Sequence, residues 1–72
     1  MQDFHEPIIQ LRGRNLLYIE NYKKLLSYSR LQIRILTKYG ILEINGADLF
    51  IHFYSKEDIE IHGLMKTICF LN

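Results

Sequence analysis

The chain of 72 residues has little of what small proteins use to reinforce a core. It contains one cysteine, Cys69, so no disulfide can form within the chain, and we expect a reducing compartment. It has one proline, no tryptophan, and no apolar run near the roughly 20 residues of a membrane-spanning helix, so we expect no direct membrane insertion. Residues 1–6 lack the basic and apolar segments of a signal peptide. These absences predict a soluble, cytoplasmic protein.

The chain also lacks a large net charge, which is only +1. The charge is uneven, because residues 1–38 carry seven basic and three acidic side chains and residues 39–72 carry two and five. Such a bipolar surface suits head-to-tail self-contact or a charged partner better than general binding of nucleic acid. Scattered solvated charges explain the same counts equally well. Because one small core gives marginal stability and no disulfide is available, we predict a homo-oligomer.

A strand pattern that ends in glycine recurs along the chain with a period of about 17 residues. Apolar and polar residues alternate at residues 9–13, 42–46 and 59–63, and each run ends in glycine. Alternation with period two dominates from Ile8 onward, and no window of a dozen residues shows a helical stripe. The sequence therefore predicts one all-β domain over residues 8–72, preceded by a flexible lead-in at residues 1–7.

We predict about seven or eight short strands that form an antiparallel meander and curl into a sandwich or barrel. They are placed at residues 8–12, 16–20, 24–28, 31–37, 41–45, 48–54, 58–62 and 65–71. A short β-solenoid or roll is the alternative, since it would stack the repeats in a ladder. Glycine-centred turns favour the meander, because glycine readily adopts the positive φ of tight hairpins. The predicted turn glycines are Gly13, Gly40, Gly46 and Gly63.

Two of the connections have more specific signals. A turn centred on residues 46–47 would place Glu43 opposite Phe50 and avoid the pairing of Glu43 with Asp48, so we predict this register. Residues 55–58 (SKED) have the spacing of a capping box, serine followed three residues later by an acid. They predict one helical turn between two strands.

Alternation also assigns the faces of the strands. The predicted inward side chains are Leu17, Ile19, Ile33, Ile35, Leu42, Ile44, Leu49, Ile51, Phe53, Ile59, Ile61, Ile68 and Phe70. The outward side is unexpectedly apolar at six positions, and such a face indicates a second buried layer or a subunit interface. We favour the interface because so short a chain cannot easily cover both faces of its own sheet. The predicted interface residues are Tyr18, Leu36, Phe50, Tyr54, Met65 and Leu71.

The sequence predicts neither catalysis nor a bound metal or cofactor. His5, His52, His62 and Cys69 lack the short spacing that prepares a ligand pair, although His52 and His62 meet if residues 49–53 pair with 59–63. The carboxylates lie next to turns or on polar strand positions, where solubility explains them. The serines have no nucleophile elbow, and no phosphate-binding loop is present.

Nucleic-acid binding by a small β-barrel is the alternative function. Seven basic residues between positions 12 and 38 alternate with Tyr18, Tyr22, Tyr28 and Tyr39, and a barrel can place cations and aromatic rings on one face. The near-zero net charge and the lack of a recognisable RNA-binding motif argue against this function.

The order of several motifs resembles the YabP/YqfC family of sporulation proteins, with the YqfC-like branch favoured. The matching segments are residues 13–23 (GRNLLYIENYK), 25–28 (LLSY), 40–49 (GILEINGADL), 55–63 (SKEDIEIHG) and 66–68 (KTI). The resemblance covers about residues 8–71. Tyr22 stands where the family pattern leads us to expect histidine.

This resemblance implies a non-catalytic structural, scaffold or interaction protein of endospore-forming Firmicutes. Such proteins act in the mother cell during development of the spore cortex and coat. The resemblance also implies a partner, a sporulation membrane protein encoded by a neighbouring gene, which would hold this protein peripherally at the forespore membrane. The family supplies no catalytic residues to transfer to this chain.

Overall fold

The structure, a computed structural model, describes residues 6–71, and in this part of the chain it is all-β. This confirms the predicted fold class, with six strands in place of the seven or eight that we expected. The strands are β1 (Ile8–Arg12), β2 (Leu16–Glu20), β3 (Lys24–Tyr28), β4 (Gln32–Thr37), β5 (Gly40–Tyr54) and β6 (Asp58–Leu71). They form one sheet of order β1-β2-β6-β5-β4-β3. Residues 6–71 contain no helix of the length and apolar character needed to cross a bilayer.

All neighbouring strands in the sheet are antiparallel. The solenoid alternative is therefore wrong, because stacked solenoid repeats would pair in parallel. β5 and β6 are 15 and 14 residues long, and each of them joins two of the predicted short strands. The long β5–β6 hairpin is thus the central element, and β2 and β4 pair with opposite ends of it.

The hairpin turns predicted at Gly46 and Gly63 are wrong, because both glycines lie inside long strands at irregular register. The backbone N–H of Gly46 donates to the carbonyl of Leu31, and that of Gly63 donates to the carbonyl of Asn15. A segment outside the β5–β6 hairpin is therefore hydrogen-bonded to each glycine. Glycine permits the close backbone approach that a bulge requires.

Two other predictions about connections need correction. Glu43 pairs with Cys69 on β6, not with Phe50, because the strand does not turn back at Gly46. The predicted helical turn at residues 55–58 is also wrong. Ser55 nevertheless acts as expected of a capping residue, since its hydroxyl accepts the N–H of Asp58 at 3.0 Å within a short turn.

The other two predicted turn glycines do lie at turns. Gly13 has φ +60° between β1 and β2, and Gly40 has φ +111° directly after the turn at residues 38–39. Residues 1–5 of the predicted lead-in lie outside the described residues. Glu6 is held against the domain, because its carboxylate lies 3.2 Å from Lys38 Nζ and its carbonyl accepts a hydrogen bond from Asn21.

The sheet curls so that its two halves cover one core. The first half consists of β1, β2 and residues 50–54 and 58–62, and the second consists of β3, β4 and residues 40–47 and 64–71. Buried side chains from both halves form a single cluster, and without helices only the opposite half can cover them. The cluster contains Leu17, Ile19, Tyr22, Ile33, Ile35, Leu42, Ile44, Leu49, Ile59, Ile61 and Met65.

The predicted faces are correct where the strands are regular and wrong next to the register shifts. Phe53 was expected inside but is 50% exposed, because the shift between Ile51 and Phe53 pairs it with the outward residue Glu60. Met65 was expected outside but is only 5% exposed, because the pairing skips one residue of β6 between Met65 and Thr67. Phe70 lies opposite the buried Leu42 but is also exposed, because β2 pairs only with residues 58–62 of β6 and does not extend to Phe70.

Candidate functional site

The outer face of the first half carries two cross-strand rows of side chains. In one row Tyr18 lies opposite Glu60, which lies opposite Phe53. In the other row Leu16 lies opposite His62, which lies opposite Phe50. We call this face the outer aromatic surface; its residues are Leu16, Tyr18, Phe50, Phe53, Glu60 and His62. Phe50 and Phe53 are 47% and 50% exposed, so the surface presents large rings to solvent.

Glu60 and His62 of this surface form a cluster of polar side chains with the neighbouring His52. His62 Nε2 is 2.7 Å from a carboxylate oxygen of Glu60. The ring of His52 stacks on that of His62, with 4.5 Å between the ring centroids and 27° between the planes. One potential metal-ligating atom from each of His52, Glu60 and His62 lies within 4.8 Å of the others. Phe50 borders the cluster, since its centroid is 5.4 Å from that of His62.

The local sequence explains how the cluster forms. Glu60 and His62 are two residues apart on β6, so both side chains point to the same face. The short turn at residues 55–57 returns the chain, and Phe50 then pairs with His62. His52 falls at the register shift between Ile51 and Phe53, where a bulge changes the direction of a side chain.

The structure therefore confirms the conditional prediction that His52 and His62 lie on neighbouring strands. The spacing of the three histidines and Cys69 did not indicate that Glu60 would join His52 and His62. The pattern Glu60-Ile61-His62 in a strand, with a histidine one hairpin away, is the signal that could have indicated the cluster.

Tyr18 lies beside this cluster in an acidic environment. Burial raises the pKa of its phenol above the usual value of 10.0, and the carboxylates of Asp58, Glu20 and Glu60 raise this pKa further. The phenol consequently stays protonated and can donate a hydrogen bond. A groove of about 220 Å³ runs along the same face, lined by Gln10, Arg12, Leu16, Tyr18 and Glu60.

The family model of the YabP family matches residues 5–72. This chain belongs to the YabP family. It is also 32% identical over 62 residues to the uncharacterized protein YqfC of Bacillus subtilis (strain 168), a match that covers 86% of this chain and 67% of YqfC. The family resemblance seen in the motifs is thus confirmed.

In this YabP-family protein the six predicted interface residues do not share one face. Tyr18 and Phe50 belong to the outer aromatic surface. Leu36 and Leu71 flank Ile41 in a cross-strand row on the outer face of the second half. Tyr54 contacts Tyr22 at the edge of the sheet, and Met65 belongs to the core. The predicted single interface therefore divides between two faces and an edge.

The buried phenol of Tyr22 holds the end of β5 near Tyr54 in place. The hydroxyl of Tyr22 donates to the carbonyl of Ser55, and burial raises the pKa of Tyr22 to about 12. Its ring centroid is 6.1 Å from that of Tyr54. Tyr22 therefore fastens the turn at residues 55–57 to the segment between β2 and β3.

The outer face of the second half carries an ion pair. Arg34 lies 2.8 Å from Glu43, whose other carboxylate oxygen accepts a hydrogen bond from Asn45 at 2.9 Å. The hydrogen bond from Asn45 and then that from Arg34 lower the pKa of Glu43 below its usual value. Arg34 is therefore already paired within the chain.

The basic and aromatic residues of the nucleic-acid alternative are only partly dispersed. Arg12 lies on the face of the first half, Arg34 lies on that of the second, and Tyr22 is buried. Arg30 is 3.2 Å from Asp48. Lys23 and Lys24, in contrast, line one groove of about 510 Å³ together with Tyr22, Tyr54 and Lys56.

Proposed function

We propose that this YabP-family protein is a non-catalytic structural and interaction module of spore formation. It acts in the mother cell during development of the cortex and coat, and it self-associates through the outer aromatic surface. The observation that carries this proposal is the exposure of Phe50 and Phe53, about half of each residue, on β5 of the central hairpin. The family resemblance supports the place in spore formation.

Exposed rings on a paired strand are suited to binding. The solvated face of an antiparallel sheet is normally polar, whereas aromatic side chains are enriched in the buried centres of interfaces. Strand pairing holds the backbone of Phe50 and Phe53, so docking costs little additional backbone entropy.

The proposed occupant of the surface is a second copy of the chain. The same face carries the cation Arg12 and the carboxylate of Glu60, so two copies related by a two-fold axis can present opposite charges to each other. Two phenylalanines from each copy would bury on the order of 400 Å² of apolar area, worth roughly 10 kcal/mol. Association itself costs roughly 4 to 15 kcal/mol, so we expect a weak, concentration-dependent dimer.

Sedimentation equilibrium of the purified chain tests self-association. The mean mass should rise with concentration into the high micromolar range, and Phe50→Glu should remain monomeric with an unchanged β signature in circular dichroism. Leu31→Glu is the matched control, because Leu31 is 67% exposed and lies away from this face in the segment between β3 and β4. A strict monomer at high micromolar concentration would refute this part of the proposal.

We also propose that a sporulation membrane protein, encoded by a neighbouring gene, recruits this protein to the forespore membrane. The resemblance to the YabP/YqfC family supports this partner. Co-expression followed by membrane fractionation tests it. The protein should sediment with membranes only when the partner is present, and sedimentation without the partner would contradict the proposed recruitment.

A further inference from the structure

The cluster of His52, Glu60 and His62 combines three groups that suit a transition-metal ion. Imidazole and carboxylate groups together are typical zinc ligands, and two histidines with one acid can bind zinc while the fourth position holds water. We propose that His52, Glu60 and His62 bind one Zn²⁺ ion as its three protein ligands. All three ligands come from one chain, so the site needs no residue of a second copy, although Glu60 and His62 also belong to the outer aromatic surface.

The distances require only a small side-chain adjustment. Tetrahedral zinc with bonds of about 2.0 to 2.2 Å places its ligand atoms about 3.3 to 3.6 Å apart. The His62 and Glu60 atoms, now 2.7 Å apart, would open slightly. The widest separation in the cluster, up to 4.8 Å, would close by little more than 1 Å. His52 is exposed and the other two residues are half-buried, so rotation of the side chains suffices.

The backbone beneath the cluster is held in place by the sheet. The ligands lie on β5 and β6, which pair along most of their length, and β2 pairs with β6 on the other side. A site on paired strands holds its ligands more accurately than one on loops. Phe50 also shields one side of the imidazoles, since its centroid is 5.4 Å from that of His62 and 6.5 Å from that of His52.

A hydrogen bond between Glu60 and His62 explains only two members of the cluster. It does not require His52, whose ring lies against His62 at the bulge.

The ligand set also selects the ion. Ca²⁺ prefers six to eight oxygen ligands and Mg²⁺ requires octahedral oxygen coordination, neither of which two imidazoles supply.

The test uses the full chain without an affinity tag, freed of metal by a chelator. Titration of Zn²⁺ against a chromophoric indicator should give one ion per chain. Co²⁺ used as a spectroscopic substitute should give the intense visible absorption of four-coordinate cobalt. His52→Ala and His62→Ala should each weaken zinc binding at least tenfold, because loss of even an outer-shell partner costs about 10- to 100-fold.

Matched variants separate this site from other zinc ligands. Glu60→Gln should weaken binding, while Glu57→Gln, a change of the same type in the turn at residues 55–57, should leave it unchanged. His5→Ala, which changes the remaining histidine, should also leave it unchanged. Circular dichroism of each variant verifies folding. Zinc binding that persists in the His52→Ala/His62→Ala double variant, or equal competition by Mg²⁺, would overturn the proposal.

Discussion

Gly46 and Gly63 should be far less tolerant of substitution than Gly13, although each ends the same sequence pattern. A Cβ at Gly46 would lie 2.0 Å from the carbonyl oxygen of Leu64. A Cβ at Gly63 would lie 2.5 Å from the carbonyl oxygen of Asp48, at φ +127°. At Gly13 no atom lies within 4 Å of the added carbon, although φ is +60°.

These contacts give the expected magnitudes. Gly13→Ala should cost only the left-handed backbone penalty, about 1 to 2 kcal/mol. Gly46→Ala should cost at least about 3 kcal/mol, because the opposing atom is backbone and the Gly46 N–H is bonded to Leu31. Gly63→Ala combines a collision with backbone strain and should cost at least as much.

Urea denaturation of the three alanine variants, followed by circular dichroism, measures the free energies of unfolding. Failure of the Gly46 or Gly63 variant to fold agrees with the reasoning, provided that the Gly13 variant folds. The reasoning would be refuted if Gly46→Ala or Gly63→Ala cost no more than Gly13→Ala.

Two further predictions concern pH. The folded pKa of Tyr22 is raised from 10.0 to about 12. Its contribution to the free energy of unfolding, roughly 2 to 3 kcal/mol, is therefore fully present below pH 10 and is lost as pH rises to about 12. Tyr22→Phe should remove this alkaline loss in urea titrations at several pH values, and an unchanged loss would contradict the assignment. The pKa of Glu43 in the folded protein is below the usual 4.5. Its contribution to the free energy of unfolding is therefore present above pH 4.5 and is lost as pH falls through the pKa of the folded protein. Glu43→Gln should flatten the acid limb of the same titration, and an identical limb would contradict the role of Glu43.

β2 and β4 were predictable because their alternation is uninterrupted. The predicted bounds of the first three strands coincide with β1, β2 and β3, and β4 differs from its prediction by one residue. In β5 and β6 glycine follows an alternating run, as it does at a hairpin. Local sequence does not distinguish a glycine that turns the chain from one that lets another backbone approach. The faces of Phe53 and Met65 were wrong for a related reason, since each bulge displaces the alternation by one residue.

The candidate sites were less predictable because they depend on cross-strand register. The approach of His52 to His62 could be stated only conditionally, and Glu60 joins them through the actual pairing of β5 with β6. The predicted interface likewise assumed one outward face. The curling of the sheet instead sends Phe50 and Leu36 to opposite sides of the molecule.

The position of β2 in the sheet also has a consequence for the order of folding. β2 pairs with β1 and with residues 58–62 of β6, so one of its two neighbours is made some forty residues later. The β5–β6 and β4–β5 hairpins are local and should form early, whereas docking of β2 must await a distant strand. During synthesis the apolar side chains of Leu17 and Ile19 therefore remain uncovered until β6 leaves the ribosome. Pulsed hydrogen exchange during refolding should show late protection of the β2 amides that bond to β6, and early protection of these amides would contradict this order.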